Sequence, residues 1–248
     1  MTSGTPPLAV QGLSRRFGDV QAVVGVSLEV RAGEIVGFLG ANGAGKTTTL
    51  RCASGLLAPD AGRIMVAGVD LLREPRVAKA RLGLVPDRPF LYERLSAREF
   101  LAFIAALYDL PAEPAARRAE ELLARLGLAD QAGRTIEGYS LGMRQKTAVA
   151  AALLHSPPLL LLDEPLNGLD PPATRVLKDL LREHARAGGG ALVSTHLLDV
   201  AERMCDRVVI LRSGCVVAEG TLAELRGGRG ERSLEDLFME LGTSEGGA

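Results

Sequence analysis

The chain has 248 residues, a formal net charge of -1, 47% hydrophobic and 24% charged residues. That length supports one large domain, or two lobes, around a substantial core. The near-zero charge argues against a global field for nucleic acid or membrane, so no nucleic-acid partner is expected. With no tryptophan and 4% aromatic residues, aliphatic side chains must build the core.

Met1 to Pro7 lacks an apolar signal core, and no stretch approaches the ~18 continuous apolar residues of a membrane span. The expectation is a soluble, cytoplasmic chain that meets a membrane only through a partner. Residues 8–40 read as strands: Leu8-Ala9-Val10 and Val20 to Val30 are rich in β-formers and punctuated by Gly18, Gly25 and Gly33. Glu34 to Leu39 is short and apolar, a buried strand. Gly40-Ala41-Asn42-Gly43-Ala44-Gly45-Lys46-Thr47 follows and matches G-x-x-x-x-G-K-[ST] at every required position, with a helix start at Thr48.

Strand, glycine loop and helix together define a phosphate-binding loop, so the ligand class is a nucleoside triphosphate with magnesium. Gly40, Gly43 and Gly45 let the backbone wrap closely around phosphates. The amides of Asn42 to Thr48 then form an anion nest at a helix N-terminus. Lys46 is expected on the β- and γ-phosphates, Thr47 on magnesium, and Thr48 on a phosphate oxygen.

Arg63 to Ala67 and Leu82 to Val85 read as further short strands. From Ser96 the texture changes. Ser96-Ala97-Arg98-Glu99 forms a capping box before Phe100 to Ile104, and alanine, arginine and leucine dominate to about residue 127. This reads as a helical lobe inserted between core strands, with Pro111 and Pro114 separating its helices.

Leu159-Leu160-Leu161-Leu162-Asp163-Glu164 is a second strong signal: a buried strand that ends in carboxylates beside the phosphate loop. Asp163 is expected to hold magnesium and Glu164 to orient or deprotonate the attacking water. Asp170 is the expected N-cap of a helix with Pro171 at its first position, ending near Gly188 to Gly190. Ala191 to Thr195 is another strand, and His196 after it falls where parallel strands present ligands, which makes it a γ-phosphate contact. Val208 to Leu211 and Val216 to Ala218 flank a Ser213-Gly214 hairpin turn. Residues 227–232 read as a flexible linker, and Ser233 to Leu241 as a final amphipathic helix. Cys52, Cys205 and Cys215 form no C-x-x-C pair and read as reduced thiols.

The segment Tyr139-Ser140-Leu141-Gly142-Met143-Arg144-Gln145-Lys146 resembles the signature motif of ATP-binding cassette (ABC) proteins, in which L-S-G-G-Q precedes R-Q-R. Asn167-Gly168-Leu169-Asp170 resembles the family's D-loop, and His196 its switch histidine. The resemblance covers residues 8–225. It implies an α/β fold: a P-loop NTPase core, a mixed sheet flanked by helices, with an antiparallel β subdomain and a helical subdomain at about residues 90–155. Residues 1–225 would form the cassette, and 226–248 a linker and short helix.

The resemblance also implies a function. The chain would bind and hydrolyse ATP with Mg2+ as the ATPase subunit of a transporter. Catalysis would rest on Lys46, Glu164 and His196. Phe17 would stack on adenine, and Ser140 and Gly142 would cover the γ-phosphate held by a second, head-to-tail cassette. The partners would be that cassette, identical or homologous, and a separate integral-membrane permease. This would place the chain peripherally on the cytoplasmic face of the membrane. The methionine in the signature resembles the subfamily, of the ABC-2 type, that exports drugs, antibiotics or lipids.

Two motifs depart from the pattern. Leu141 and Met143 replace a signature glycine and glutamine. Asp87 stands where the family carries the glutamine of its Q-loop. A carboxylate there can still ligate magnesium. It cannot donate a hydrogen bond as an amide does, and Asp87 pointing away, with its loop serving only as a coupling surface, is the alternative. Phe17 likewise reads either as the adenine contact or as a core or edge aromatic. Three other readings compete. A soluble cassette protein working on ribosomes or DNA would carry paired cassettes or basic extensions. A regulatory module that holds ATP without turnover is disfavoured by Glu164 and His196 but kept open by Asp87 and Leu141. A kinase or GTPase leaves Ser140 to Gln145 unexplained.

Overall fold

Two sheets meet across one apolar layer in the computed structural model, which describes residues 4–226. The linker expected at 227–232 and the helix expected from Ser233 lie outside the described residues. The first sheet is antiparallel, in the order β2 (Val20–Val30), β1 (Leu8–Phe17), β4 (Ala61–Val66), β5 (Val69–Asp70). The second has six strands, in the order β10 (Cys215–Gly220), β9 (Arg207–Arg212), β3 (Ile35–Leu39), β8 (Gly190–Thr195), β7 (Leu159–Asp163), β6 (Leu82–Val85). All of its pairs are parallel except the β9–β10 hairpin. The fold is thus α/β with a mixed sheet and an antiparallel β subdomain.

Strands β3, β7 and β8 are buried along their whole length. This is why they read as unbroken apolar runs rather than alternating ones: a parallel sheet is covered on both faces. Side chains alternate between the two faces. Val36, Phe38, Leu159 and Leu161 join the core shared with the antiparallel sheet and α1 (Lys46–Ala53). Ile35, Leu39, Leu160 and Leu162 face the other way, onto helices.

Those helices include α3 (Ala97–Leu107), α4 (Ala112–Arg125) and α5 (Leu141–Leu154), all inserted between β6 and β7. The capping box is present: Ser96 accepts from the Glu99 amide, and Glu99 accepts from the Ser96 amide at 2.8 Å. Of the two prolines expected to separate helices, one does so and the other does not. Pro111 is the N-cap of α4, but Pro114 lies inside that helix, in its first turn. A missing N–H costs nothing there, because first-turn amides have no intrahelical acceptor. The lobe is tied to α6 (Pro171–Arg186) by a two-pronged Arg125–Glu183 ion pair at 2.6 and 2.7 Å. Asp170 caps α6 from its side chain with Pro171 first in the helix, as its sequence predicts.

The three thiols are unpaired. Burial pushes the Cys52 thiol up to about 11 and that of Cys205 up to about 12, so both stay protonated and behave as small apolar groups. Among the described residues no helix is long and apolar enough to cross a membrane.

Candidate active site

The register of the parallel sheet brings three loops to one edge. Leu39, the last residue of β3, pairs with Thr195, and Asp163 at the end of β7 pairs with Ser194. The phosphate-loop motif, the Asp163-Glu164 pair and His196 therefore leave neighbouring strands at the same carboxyl end, where open α/β sheets bind ligands. Asn42, Gly43, Gly45, Lys46, Thr47, Thr48, Asp87, Glu164 and His196 line one cleft of about 370 Å³, together with Ala22, Ala41 and Asn167. Asp163 sits beside it, in a hollow of about 320 Å³ that shares Thr47 and Asp87. Gly40 and Ala44 form the buried floor of the loop.

The cleft fits a phosphate chain. Gly45 is the N-cap of α1, has φ +105°, and no side chain caps the first-turn amides. A Cβ at Gly45 would meet the Ala22 carbonyl at 2.4 Å, whereas one at Gly43 would meet nothing within 4 Å, on the open side. The loop is thus pressed against β2 on one side and open on the other. Lys46 is 6% exposed, and its ammonium donates to the Gly40 carbonyl at 2.7 Å and that of Ala41 at 3.2 Å. Burial lowers its pKa, and the charges of Glu164 and Asp163 act against that lowering.

The acids are held differently. Asp163 is buried and accepts a hydrogen bond from the Ser194 hydroxyl. Glu164 bends off the strand end with φ +46°, a left-handed conformation that costs a non-glycine residue about 1–2 kcal/mol. Its amide donates to the Ser194 carbonyl at 3.1 Å, and its Oε1 lies 3.0 Å from His196 Nδ1. An ionised carboxylate only accepts, so Nδ1 carries the proton in that contact. The Asn167 amide group donates from Nδ2 to Asp87 Oδ1 at 3.0 Å.

Three predicted site residues stand apart. Ser140 caps α5, accepting from the Met143 amide at 3.3 Å, and with Gly142 it does not line the cleft. Phe17 is 46% exposed beside the β1–β2 turn, with the Arg15 guanidinium 5.0 Å from its ring centre, and also does not line the cleft. Ser194 and Ala22 belong to the neighbourhood but carry no motif of their own. Asn167 was visible only as part of a motif, and the sequence does not show that it reaches Asp87.

Comparison with known proteins agrees with this fold. The sequence profile of the ABC transporter family matches residues 23–167. The chain is 40% identical to the daunorubicin resistance ATP-binding protein DrrA3 of Streptomyces coeruleorubidus, over 95% of this chain and 74% of that one. It is 39% identical to the ABC transporter ATP-binding protein NatA of Bacillus subtilis (strain 168), over 91% and 94%. A solved ATP-binding subunit of an ABC transporter superposes with a TM-score of 0.90 at 37% identity, covering 95% of this chain and 99% of that one. A nucleotide-free cassette superposes at 0.77 and 21% identity, over 94% and 98%, which speaks for the fold alone. The chain belongs to the ABC transporter family and is one of its ATP-binding, ATP-hydrolysing subunits.

Proposed function

We propose that this cassette powers export of an antibiotic-like molecule by a separate membrane permease, through ATP-driven closure of two cassettes. The observation that carries the shared-site part is the split of the site. Lys46, Glu164 and His196 converge on one cleft, while Ser140 and Gly142 lie outside it. A residue pair that does not serve its own cleft is free to serve that of a second copy. The export reading rests on the similarity to the daunorubicin resistance protein and is tested separately, by cargo efflux with the permease.

In this reading the amides of Gly43 to Thr48 cradle the phosphates, and Lys46 exchanges its loop carbonyls for phosphate oxygens. Phe17, exposed beside the β1–β2 turn, stacks on the base in place of Arg15. Thr47 and Asp163 are the oxygen donors that fit a magnesium ion, with Asp87 as a third across the cleft. The metal, when bound, neutralises charge on the phosphates. Glu164 takes a proton from the water that attacks the γ-phosphorus, and the bond to the β-phosphate oxygen breaks. His196, through its 3.0 Å bond, holds Glu164 in the acceptor position. The surface toward the permease is the loop after Asp87. Phe90 there is 90% exposed, and Tyr92 packs edge-on against Phe103 at 5.3 Å.

The test is Glu164→Gln. ATP turnover should fall by about 10²–10⁴-fold, the usual contribution of a general base. ATP binding should persist, and the variant should accumulate as an ATP-dependent dimer in gel filtration. A monomer at saturating ATP, or retained turnover, would sink the shared-site reading.

A further inference from the structure

Asp87 is tied to more than the cleft it faces. Its Oδ1 accepts from Asn167 Nδ2 at 3.0 Å, and the Asn167 backbone N–H in turn donates to the Glu164 backbone carbonyl at 3.1 Å. The next residue, Gly168, touches the start of α5. A Cβ on Gly142 would lie 2.4 Å from the Gly168 carbonyl oxygen, and one on Gly168 would lie 3.0 Å from Leu141 Cγ. The fully buried Gln145, one turn along α5, donates to the Pro165 carbonyl at 3.3 Å. Residues 165–168 are therefore clamped between the Asp87 carboxylate on one side and the first turn of α5 on the other.

We propose that Asp87 is a positioning residue for the opposing half-site. Its carboxylate holds Asn167, and through residues 165–168 it sets the place of Ser140 and Gly142, which complete the site of a second cassette. The chemistry suits the residue. An ionised carboxylate is an obligate acceptor, so it can take the amide donor of Asn167 only one way round, and the bond is charge-assisted. Two oxygens allow two roles: one holds Asn167, and the other is left for the metal, since Asp87 lines both the cleft and the hollow that holds Asp163. The proposal rests on the shared-site reading above, and the two fail in different ways.

The experiment uses the full chain in the Glu164→Gln background, measuring ATP-dependent dimerisation by sedimentation. Nucleotide affinity of the lone cassette is read with a fluorescent ATP analogue. Asp87→Ala and Asn167→Ala should each weaken dimerisation by about tenfold beyond any change in nucleotide affinity, the scale of one charge-assisted hydrogen bond. The double variant should be no worse than either single one, since both remove the same contact. Asp87→Asn keeps an acceptor oxygen and should restore dimerisation to within about threefold. A shift in the magnesium titration seen with Asp87→Ala but not with Asn167→Ala reports the metal-side oxygen, separately from the dimer effect. Additive losses, or an Asp87→Ala variant that dimerises like its parent, overturn the proposal. Thermal melting of each variant excludes loss of fold as the source of a weakened dimer. A Glu164→Gln parent that never dimerises removes the shared-site reading, and this proposal with it.

Discussion

The two ends of the ATP site are built on opposite principles. The phosphate loop is wedged. Gly45 abuts the Ala22 carbonyl, Lys46 is bonded back to its own loop, and β3 below it is wholly buried. The start of α5 rests on a loop that Gln145 ties to the helix and that the Asn167–Asp87 bond ties to the cleft. A rigid half can bind ligand with little reorganisation, whereas a half hung on a short relay can be moved by whatever moves the relay. The cassette thus joins a fixed receptor for triphosphate to an adjustable lid for its neighbour. Asp87 stands at their junction, because it lines the cleft and holds the relay.

The comparison breaks most visibly at the wedged end. Gly45→Ala places a Cβ 2.4 Å from backbone at a left-handed φ of +105°, so either the loop or β2 must move. Nucleotide affinity should fall by more than about 100-fold, from strain and clash combined. Isothermal titration of the lone cassette checks this, and near-normal affinity would mean the loop is not wedged. The mirror-image test is Gly142→Ala, whose Cβ also meets backbone at 2.4 Å, but on the adjustable side. There the lone cassette should keep its nucleotide affinity while ATP-dependent dimerisation drops by about tenfold or more, because a displacement of ~1 Å in a positioning contact is costly. Equal losses in both assays would erase the distinction between the halves.

Legibility in the sequence follows the same division. The phosphate loop, the Ser96 capping box and the Asp170 cap are local devices, complete within a few residues, and each appears where its motif places it. The buried strands were legible because four leucines in a row admit few other roles. What stayed hidden needs the sheet register. Ser194 reaches Asp163 across 31 residues, and Asn167 reaches Asp87 across 80, so neither pairing has a local signal. Pro114 was misread for a different reason: a proline in the first turn of a helix and one between helices look alike until the boundary is known. Phe17 is ambiguous in both views, since its partner in this structure is Arg15 and an exposed ring serves either reading.

The smallest expected effect tests whether the helical lobe can be weakened without touching the wedged half. Ser96→Ala removes the hydroxyl that caps α3 and one of the donors to Glu99. The cost is that of a lost N-cap, about 1 kcal/mol, or about 2–4 °C in melting temperature for a chain of this size. The pH dependence has a definite sign. Bonds from the Ser96 amide and hydroxyl hold the Glu99 carboxyl below its ordinary value. A carboxylate with a depressed folded-state pKa contributes stability above its unfolded pKa and loses it as pH falls through the folded one. The gap between parent and Ser96→Ala should therefore be full at pH 7 and narrow below about pH 4. Nucleotide affinity of the lone cassette should stay put throughout, because no part of this cap reaches the cleft. A parallel loss of affinity would show that the lobe and the phosphate loop are one mechanical body, and that the adjustable half is less separable than its contacts indicate.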